Sequence, residues 1–269
     1  MQKAINYFFF GILFSLCYFK LPAQDRYPVN EYNHKIDSLT AVLQNNQLHD
    51  TDRVNTLNVL CSEFLNINPD TASVLVSEAL QLAQKNKWQK GIAASYNYFG
   101  VLNWLKGNYS TALNYYFQAL DIQRMLSDKL AFSTTLGNIG VVYKEQGIYT
   151  EALRYALNAL KIAEELHAEK EIALHLRNIG IIYTEQGDYN KALEYDIKAL
   201  KINEELGDKA GVGRLLGNIG NVYFYQSNYS KTLEYYSKAL KIAEELGDKN
   251  SISRLLGNIG NVYDKQSNY

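Results

Sequence analysis

From about residue 54 onward, apolar positions recur with helical spacing. In the segment 214–226, Leu216, Ile219, Gly220 and Tyr223 fall at i, i+3, i+4 and i+7 and form one stripe. A polar break follows at Ser227-Asn228-Tyr229, whose first position is Gly147 or Gly187 in other copies. A second stripe then carries Leu233, Ala239, Leu240 and Ile242, and its helix is predicted to stop at Gly207 or Gly247, where glycine takes the left-handed cap. Ser110, Thr150, Asn190 and Ser230 are the expected N-caps of the second helices, and Asp208 and Asp248 those of the following first helices.

The pair repeats. Asn138-Ile139-Gly140 returns at Asn178-Ile179-Gly180, Asn218-Ile219-Gly220 and Asn258-Ile259-Gly260, each time after 40 residues. Tyr143, Tyr183, Tyr223 and Tyr263 keep that step, as do the Ala-Leu pairs at 119, 159, 199 and 239. Ala79-Leu80 marks a worn first copy over 54–91, so five whole units precede a sixth that stops early. One hairpin cannot bury its own apolar face; stacked hairpins share a continuous core. The fold class is therefore all-α, a solenoid of helical hairpins. Its expected domains are 1–23, a leader; 24–53, a segment in which Ile36, Leu39, Val42 and Leu43 suit a short capping helix; and 54–269, the array.

Composition sharpens this. All 3 prolines lie at or before Pro69, so nothing interrupts helices beyond it. Lys3 followed by an apolar run at 7–19 and then Pro22-Ala23 reads as a cleaved secretory signal, too short for a permanent span. Leu16 before Cys17 argues against a lipoprotein signal. The expected location is periplasmic or extracellular after cleavage near Ala23. Cleavage removes Lys3 and Lys20 and no acid, taking the formal charge from −1 to −3. That charge argues against nucleic acid as a partner. Cys61 is left as a lone thiol, for which a structural role is expected.

Catalytic signals are weak. His34, His49, His167 and His175 show no metal-binding spacing, and no cysteine pair exists for zinc. Gly211-Val212-Gly213 lacks the strand and the Lys-Ser/Thr ending of a phosphate loop. The pairs Glu164-Glu165, Glu204-Glu205 and Glu244-Glu245 recur beside Lys161, Lys201 and Lys241, as a surface ion-pair lattice does. No enzyme, cofactor or metal is expected.

The polar stripe of the first helix is the better candidate. Arg214, Asn218, Asn221 and Tyr225 share one helical face, opposite Leu216, Ile219 and Tyr223, and Arg254, Asn258, Asn261 and Lys265 repeat it. Asn138 and Asn178 hold the same place earlier. Asparagine can satisfy both groups of a peptide backbone, and arginine can fork onto a carboxylate. The asparagines could equally bond neighbouring repeats. Towards the N-terminus the stripe turns apolar, through Ala94, Tyr98, Val101 and Leu105. The expected partner is a protein or peptide with an apolar segment at one end and an acidic one at the other.

The sequence resembles the tetratricopeptide repeat family. Ile139-Gly140, Tyr143, Gly147, Tyr149, Ala152 and Ala159 match its signature, although leucines (Leu136, Leu176, Leu216, Leu256) fill the usual tryptophan slot and the closing proline is missing. The 40-residue unit is similar to the longer repeats of animal cell-polarity adaptors. The resemblance implies a right-handed α-solenoid whose first helices line a concave groove. Arg177, Asn218 and Arg254 match three places of the family's carboxylate clamp, but Ile181 and Asn258 hold the other two, so a chaperone-tail clamp is not expected.

After Tyr269 no second helix covers Leu256, Ile259 and Tyr263. The sequence is expected to be a fragment, or this end to be covered by a partner, self-association included. The leading function is a non-catalytic interaction scaffold. The alternative, from resemblance, is the sensory input region of a larger membrane signalling protein with a kinase, cyclase or transcription-regulator output.

Overall fold

The computed structural model describes residues 31–45, 47–65 and 67–267. Twelve helices occupy them, and no strand occurs among the described residues. A leading helix, α1 (Glu31–Leu43), is followed by hairpins α2 (Asp50–Phe64) with α3 (Pro69–Lys85), α4 (Gln89–Leu105) with α5 (Tyr109–Met125), and α6 (Lys129–Glu145) with α7 (Tyr149–Glu165). Then come α8 (Glu169–Gln186) with α9 (Tyr189–Glu205), α10 (Lys209–Tyr225) with α11 (Tyr229–Glu245), and α12 (Lys249–Ser267). The expected signal segment at 1–23 lies outside the described residues.

The turns repeat twice as often as the hairpins. A residue in the left-handed region stands at Lys87, Gly107, Ser127, Gly147, His167, Gly187, Gly207, Ser227 and Gly247, with φ between 51° and 81°. At each, the amide of the next residue reaches back five places, as from Asn108 to the Asn103 carbonyl (2.8 Å) and from Asp208 to that of Asn203 (2.9 Å). This is the Schellman closure, which satisfies carbonyls the helix end leaves free. The chain re-enters a helix at once, so the N-caps of the second helices fall at Asn108, Ile148, Asp188 and Asn228, two residues before the predicted Ser110, Thr150, Asn190 and Ser230. Asp188 and Asn228 accept from the backbone amides of Lys191 and Lys231. Asp208 caps α10 as expected, accepting from the Gly211 amide at 2.9 Å.

Within a hairpin, small residues let the helices close. A Cβ placed on Gly140 would stand 3.1 Å from the Ala152 carbonyl oxygen. Aromatic stacking recurs beside this crossing: Tyr143 on Tyr155, Tyr183 on Tyr195 and Tyr223 on Tyr235, with ring centroids 5.4–5.5 Å apart. Lys191 and Lys231 lie over the Tyr183 and Tyr223 rings. The conserved step of these tyrosines along the chain thus reflects one repeated packing unit.

The core belongs to no single hairpin. Ala152 and Ala156 of α7, Leu176 and Ile179 of α8, Ala199 of α9 and Leu215 of α10 form one buried cluster. Leu136, Leu176 and Leu216 are buried, whereas Leu256 on α12 is 52% exposed. Ile36 and Leu39 of α1 pack against the cluster around Leu43, Val54 and Leu57, while Val42 points outward. Cys61 is fully buried, and burial pushes its thiol up to about 12. The surface lattice joins Glu194–Lys198 (2.7 Å) and Glu234–Lys238 (2.6 Å), and from the Glu-Glu pairs Glu205–Lys201 (3.8 Å) and Glu245–Lys209 (3.2 Å).

Candidate peptide-binding groove

Consecutive first helices touch one another directly (α2 with α4, α4 with α6, α6 with α8, α8 with α10), whereas second helices of neighbouring hairpins are held apart. The stack is tighter on the first-helix side, and that side is concave. The polar stripe belongs to it, but its members do different things.

Three of the asparagines are engaged within the stack. Asn138 donates to Asn97 Oδ1 at 3.0 Å, and Asn97 donates to Thr135 Oγ1 at 2.6 Å, a ladder from α4 to α6. Asn221 accepts from the Tyr236 hydroxyl at 2.6 Å, and Asn258 hydrogen-bonds the same hydroxyl from the next repeat. Asn178 and Asn218 are half-buried. Asn261 and Lys265 on α12 are exposed. Tyr225 is 59% exposed and stacks on Tyr189 of the preceding hairpin, with centroids 6.2 Å apart.

The arginines form a row across three first helices. Arg177 on α8 is half-buried; burial first, and then the Arg214 charge, hold its guanidinium below the usual value. Arg214 on α10 is exposed, with Nη2 3.7 Å from Asp208 Oδ2. Arg254 on α12 is exposed and lies back along α10, its Nη1 4.0 Å from where a Gly217 Cβ would stand. The acids further along the same stripe are engaged: Lys144 bridges Glu145 (2.6 Å) and Glu185 (3.3 Å). Burial works against the Lys144 charge, but the two glutamates outweigh it. The exposed side chains of the stripe on α10 and α12 are Arg214, Tyr225, Arg254, Asn261 and Lys265.

Beneath the row lies a group that the repeat pattern did not single out. Asp196 of α9 is completely buried against Gly180, and neither carboxylate oxygen has a hydrogen-bond partner among the described residues. Arg177 Nε is likewise buried and unpartnered. Burial raises the Asp196 carboxyl to about 8 against the opposing pull of Arg177. The same helix position holds Val76, Tyr116, Ala156 and Tyr236 in the other hairpins, so the signal was the exception to the repeat. No group of three or more histidine, cysteine or acidic side chains among the described residues has the geometry to hold a metal. No described helix is long and apolar enough to cross a membrane.

The chain is similar in fold to BtubC from P. vanneervenii (20% identity, 80% of this chain and 89% of that one, TM-score 0.61). It is also similar to a Rap protein complexed with competence and sporulation factor (16% identity, 88% and 71%, TM-score 0.65). A third likeness is to a signal transduction ATPase with a tetratricopeptide repeat sensor from Pyrococcus horikoshii (17% identity, 87% of this chain but 36% of that one, TM-score 0.63). No curated protein matches the sequence. The tetratricopeptide repeat model matches residues 132–205 and 211–269. With its 40-residue hairpins, its glycine–alanine crossings and its first-helix concave face, the chain belongs to the tetratricopeptide repeat family.

Proposed function

We propose that the protein is a non-catalytic scaffold whose concave face binds an extended peptide or a segment of a partner protein, with Arg214 and Arg254 taking an acidic stretch. The observation that carries this is the division of labour along the stripe. Asn138, Asn221 and Asn258 are committed to bonds within the stack, while Arg214 and Arg254 reach the open groove. Two guanidinium groups on successive helices suit carboxylates spaced along an extended chain. The apolar positions Val101 and Leu105 at the other end suit the ligand's apolar part. The likeness to a Rap protein complexed with a factor supports a binding role for such an array.

The apolar run at 7–19 ahead of Pro22-Ala23 supports an exported scaffold, periplasmic or extracellular after cleavage near Ala23. A second reading, an input region of a larger signalling protein, is favoured by the likeness to the sensor-bearing ATPase.

The test is direct. A peptide selected on the immobilised protein from a displayed random library is titrated against wild type, Arg214→Ala and Arg254→Ala by calorimetry. Loss of about tenfold in affinity for each variant is expected, the size of one charge-assisted contact. Unchanged affinity in both would sink the proposal.

A further inference from the structure

The outer surface breaks its own repetition at one place. Between second helices α5 and α7, over the first half of α6, an open recess of about 440 Å³ is floored by Phe117, Leu120, Phe132, Leu136, Tyr155 and Ile162. That is the size range of a bound side chain or small ligand. Two of its apolar groups are phenylalanines where the other hairpins carry smaller side chains. Phe117 corresponds to Ser77, Leu157, Ile197 and Ser237, and Phe132 to Ile92, Ile172, Val212 and Ile252.

The charges at its mouth are also exchanged. Arg124 stands where the later hairpins have Glu164, Glu204 and Glu244, and Arg154 where they have Glu194 and Glu234. Asp121 and Asn158 replace lysines (Lys161, Lys201 and Lys241; Lys198 and Lys238). Lys161 and Glu165 keep the common pattern. The lining carries three cations (Arg124, Arg154 and Lys161) against two acids (Asp121 and Glu165), with Glu151 just outside it against Arg154. Both guanidiniums are laid against the aromatic floor: Arg124 is 5.6 Å from the Phe132 centroid and Arg154 is 4.1 Å from that of Tyr155. Asp121 Oδ1 lies 3.8 Å from Arg124 Nη1, and Glu151 Oε2 accepts from Arg154 Nε at 2.8 Å and from its Nη2. The apolar surface continues around the end of α5 and the start of α6 through Met125 (76% exposed) and Leu130 (44%). Elsewhere the first of these places holds Lys85, Glu165, Glu205 or Glu245, and the second Lys90, Lys170, Ala210 or Asn250.

An aromatic floor with planar cations along its edge recognises an apolar group joined to an anion. We propose that this recess is a second binding site, separate from the concave groove, for a peptide segment that presents an aromatic or leucine side chain beside a carboxylate. The apolar side chain enters over Phe117 and Phe132, and the carboxylate is taken between Arg124 and Arg154.

The probes are acetyl-Gly-Phe-Glu-Gly-amide and its glutamine counterpart, titrated into methyl-labelled protein and followed by NMR. The glutamate peptide is expected to shift the Leu120, Leu136 and Ile162 methyls and to bind about fivefold more tightly than the glutamine one, the contribution of one charge-assisted contact. The double variant Arg124→Gln, Arg154→Gln removes both charges from exposed positions without setting new acids beside Asp121 and Glu151, so it keeps the fold, and it is expected to abolish the preference. Phe117→Ser, a sibling residue, is expected to weaken both peptides. Equal affinity for the two peptides, an undiminished preference in the double variant, shifts confined to the concave face, or no shifts at all would each overturn the proposal. So would phenylpropionate binding as tightly as the glutamate peptide, since the site would then take a free aromatic acid.

Discussion

The Tyr236 hydroxyl donates to Asn221 Oδ1 at 2.6 Å, so the second helix of one hairpin reaches past Gly220 to the concave side of its own first helix. Asn258 of the next hairpin joins the same oxygen. Burial, ahead of the neighbouring groups, pushes this phenol up to about 12, so it stays a donor throughout the working range. Tyr236→Phe keeps the ring under Gly220 and removes only the clip. Loss of about 1 kcal/mol of stability is expected, the net worth of one such bond plus the unsatisfied amide it leaves. Hydrogen exchange should show the loss concentrated in α11 and α12; protection unchanged there would show that the clip contributes nothing.

His175 is held neutral by burial. Ser133 has one hydroxyl proton and gives it to the Ala159 carbonyl at 2.8 Å, so His175 Nε2, 3.0 Å away, must donate to Ser133. Its Nδ1 is left bare and buried beside Gly137. Burial lowers this imidazole from 6.5 to about 4. Between those values the unfolded chain binds a proton that the folded chain refuses, so stability is full above about pH 6.5 and falls as the pH drops towards 4. Relative to His175→Leu, which places there the residue already found at Leu215 and Leu255, wild type should lose about 2 kcal/mol between pH 7 and pH 5 in urea unfolding. Parallel curves for the two proteins would refute this.

The opposite dependence is expected at Asp196. Its carboxyl is raised by burial from 3.8 to about 8, so the folded chain keeps a proton that the unfolded chain gives up. Stability from this group is greatest in acid and is lost as the pH rises from about 4 to about 8. Asp196→Ala copies the Ala156 that packs beside Gly140. Relative to that variant, wild type should lose about 3 kcal/mol between pH 5 and pH 8. If Arg177 swings in and ionises Asp196, the sign reverses, and the same two unfolding curves would show it.

These two residues also mark what sequence reading reaches in such a chain. The period, the helix pairs and the Asp208 cap were all legible, because each recurs and one physical cause explains every copy. The second-helix caps were placed two residues late, because Ser110 and Thr150 have capping chemistry and the tight closure that ends the turn at Asn108 and Ile148 leaves no signature of its own. Asp196, His175 and the Phe117–Phe132 recess escaped notice for the converse reason. Each is a single departure from the pattern, and its meaning depends on residues tens of positions away. The asparagine stripe was legible as a face, but whether Asn138 turns to a ligand or to Asn97 depends on how the hairpins stack.

The left-handed turn residues allow one prediction that needs no ligand. Every turn from Lys87 to Gly247 uses this conformation, yet Lys87, Ser127, His167 and Ser227 are not glycine. A side chain there brings Cβ against the following carbonyl, at a cost of about 1–2 kcal/mol. Glycine relieves that strain but gives the unfolded chain more freedom, which recovers part of the gain. His167→Gly and Ser227→Gly should therefore each stabilise the array by about 0.5–1 kcal/mol. Gly147→Ala, with open space around its Cβ and φ of 72°, should destabilise it by about 1 kcal/mol through backbone strain alone. Denaturant midpoints of the three variants measure both signs at once. His167 ends a second helix rather than a first, so peptide affinity of His167→Gly should stay as in wild type, and a change would mean that this turn sets the curvature of the groove.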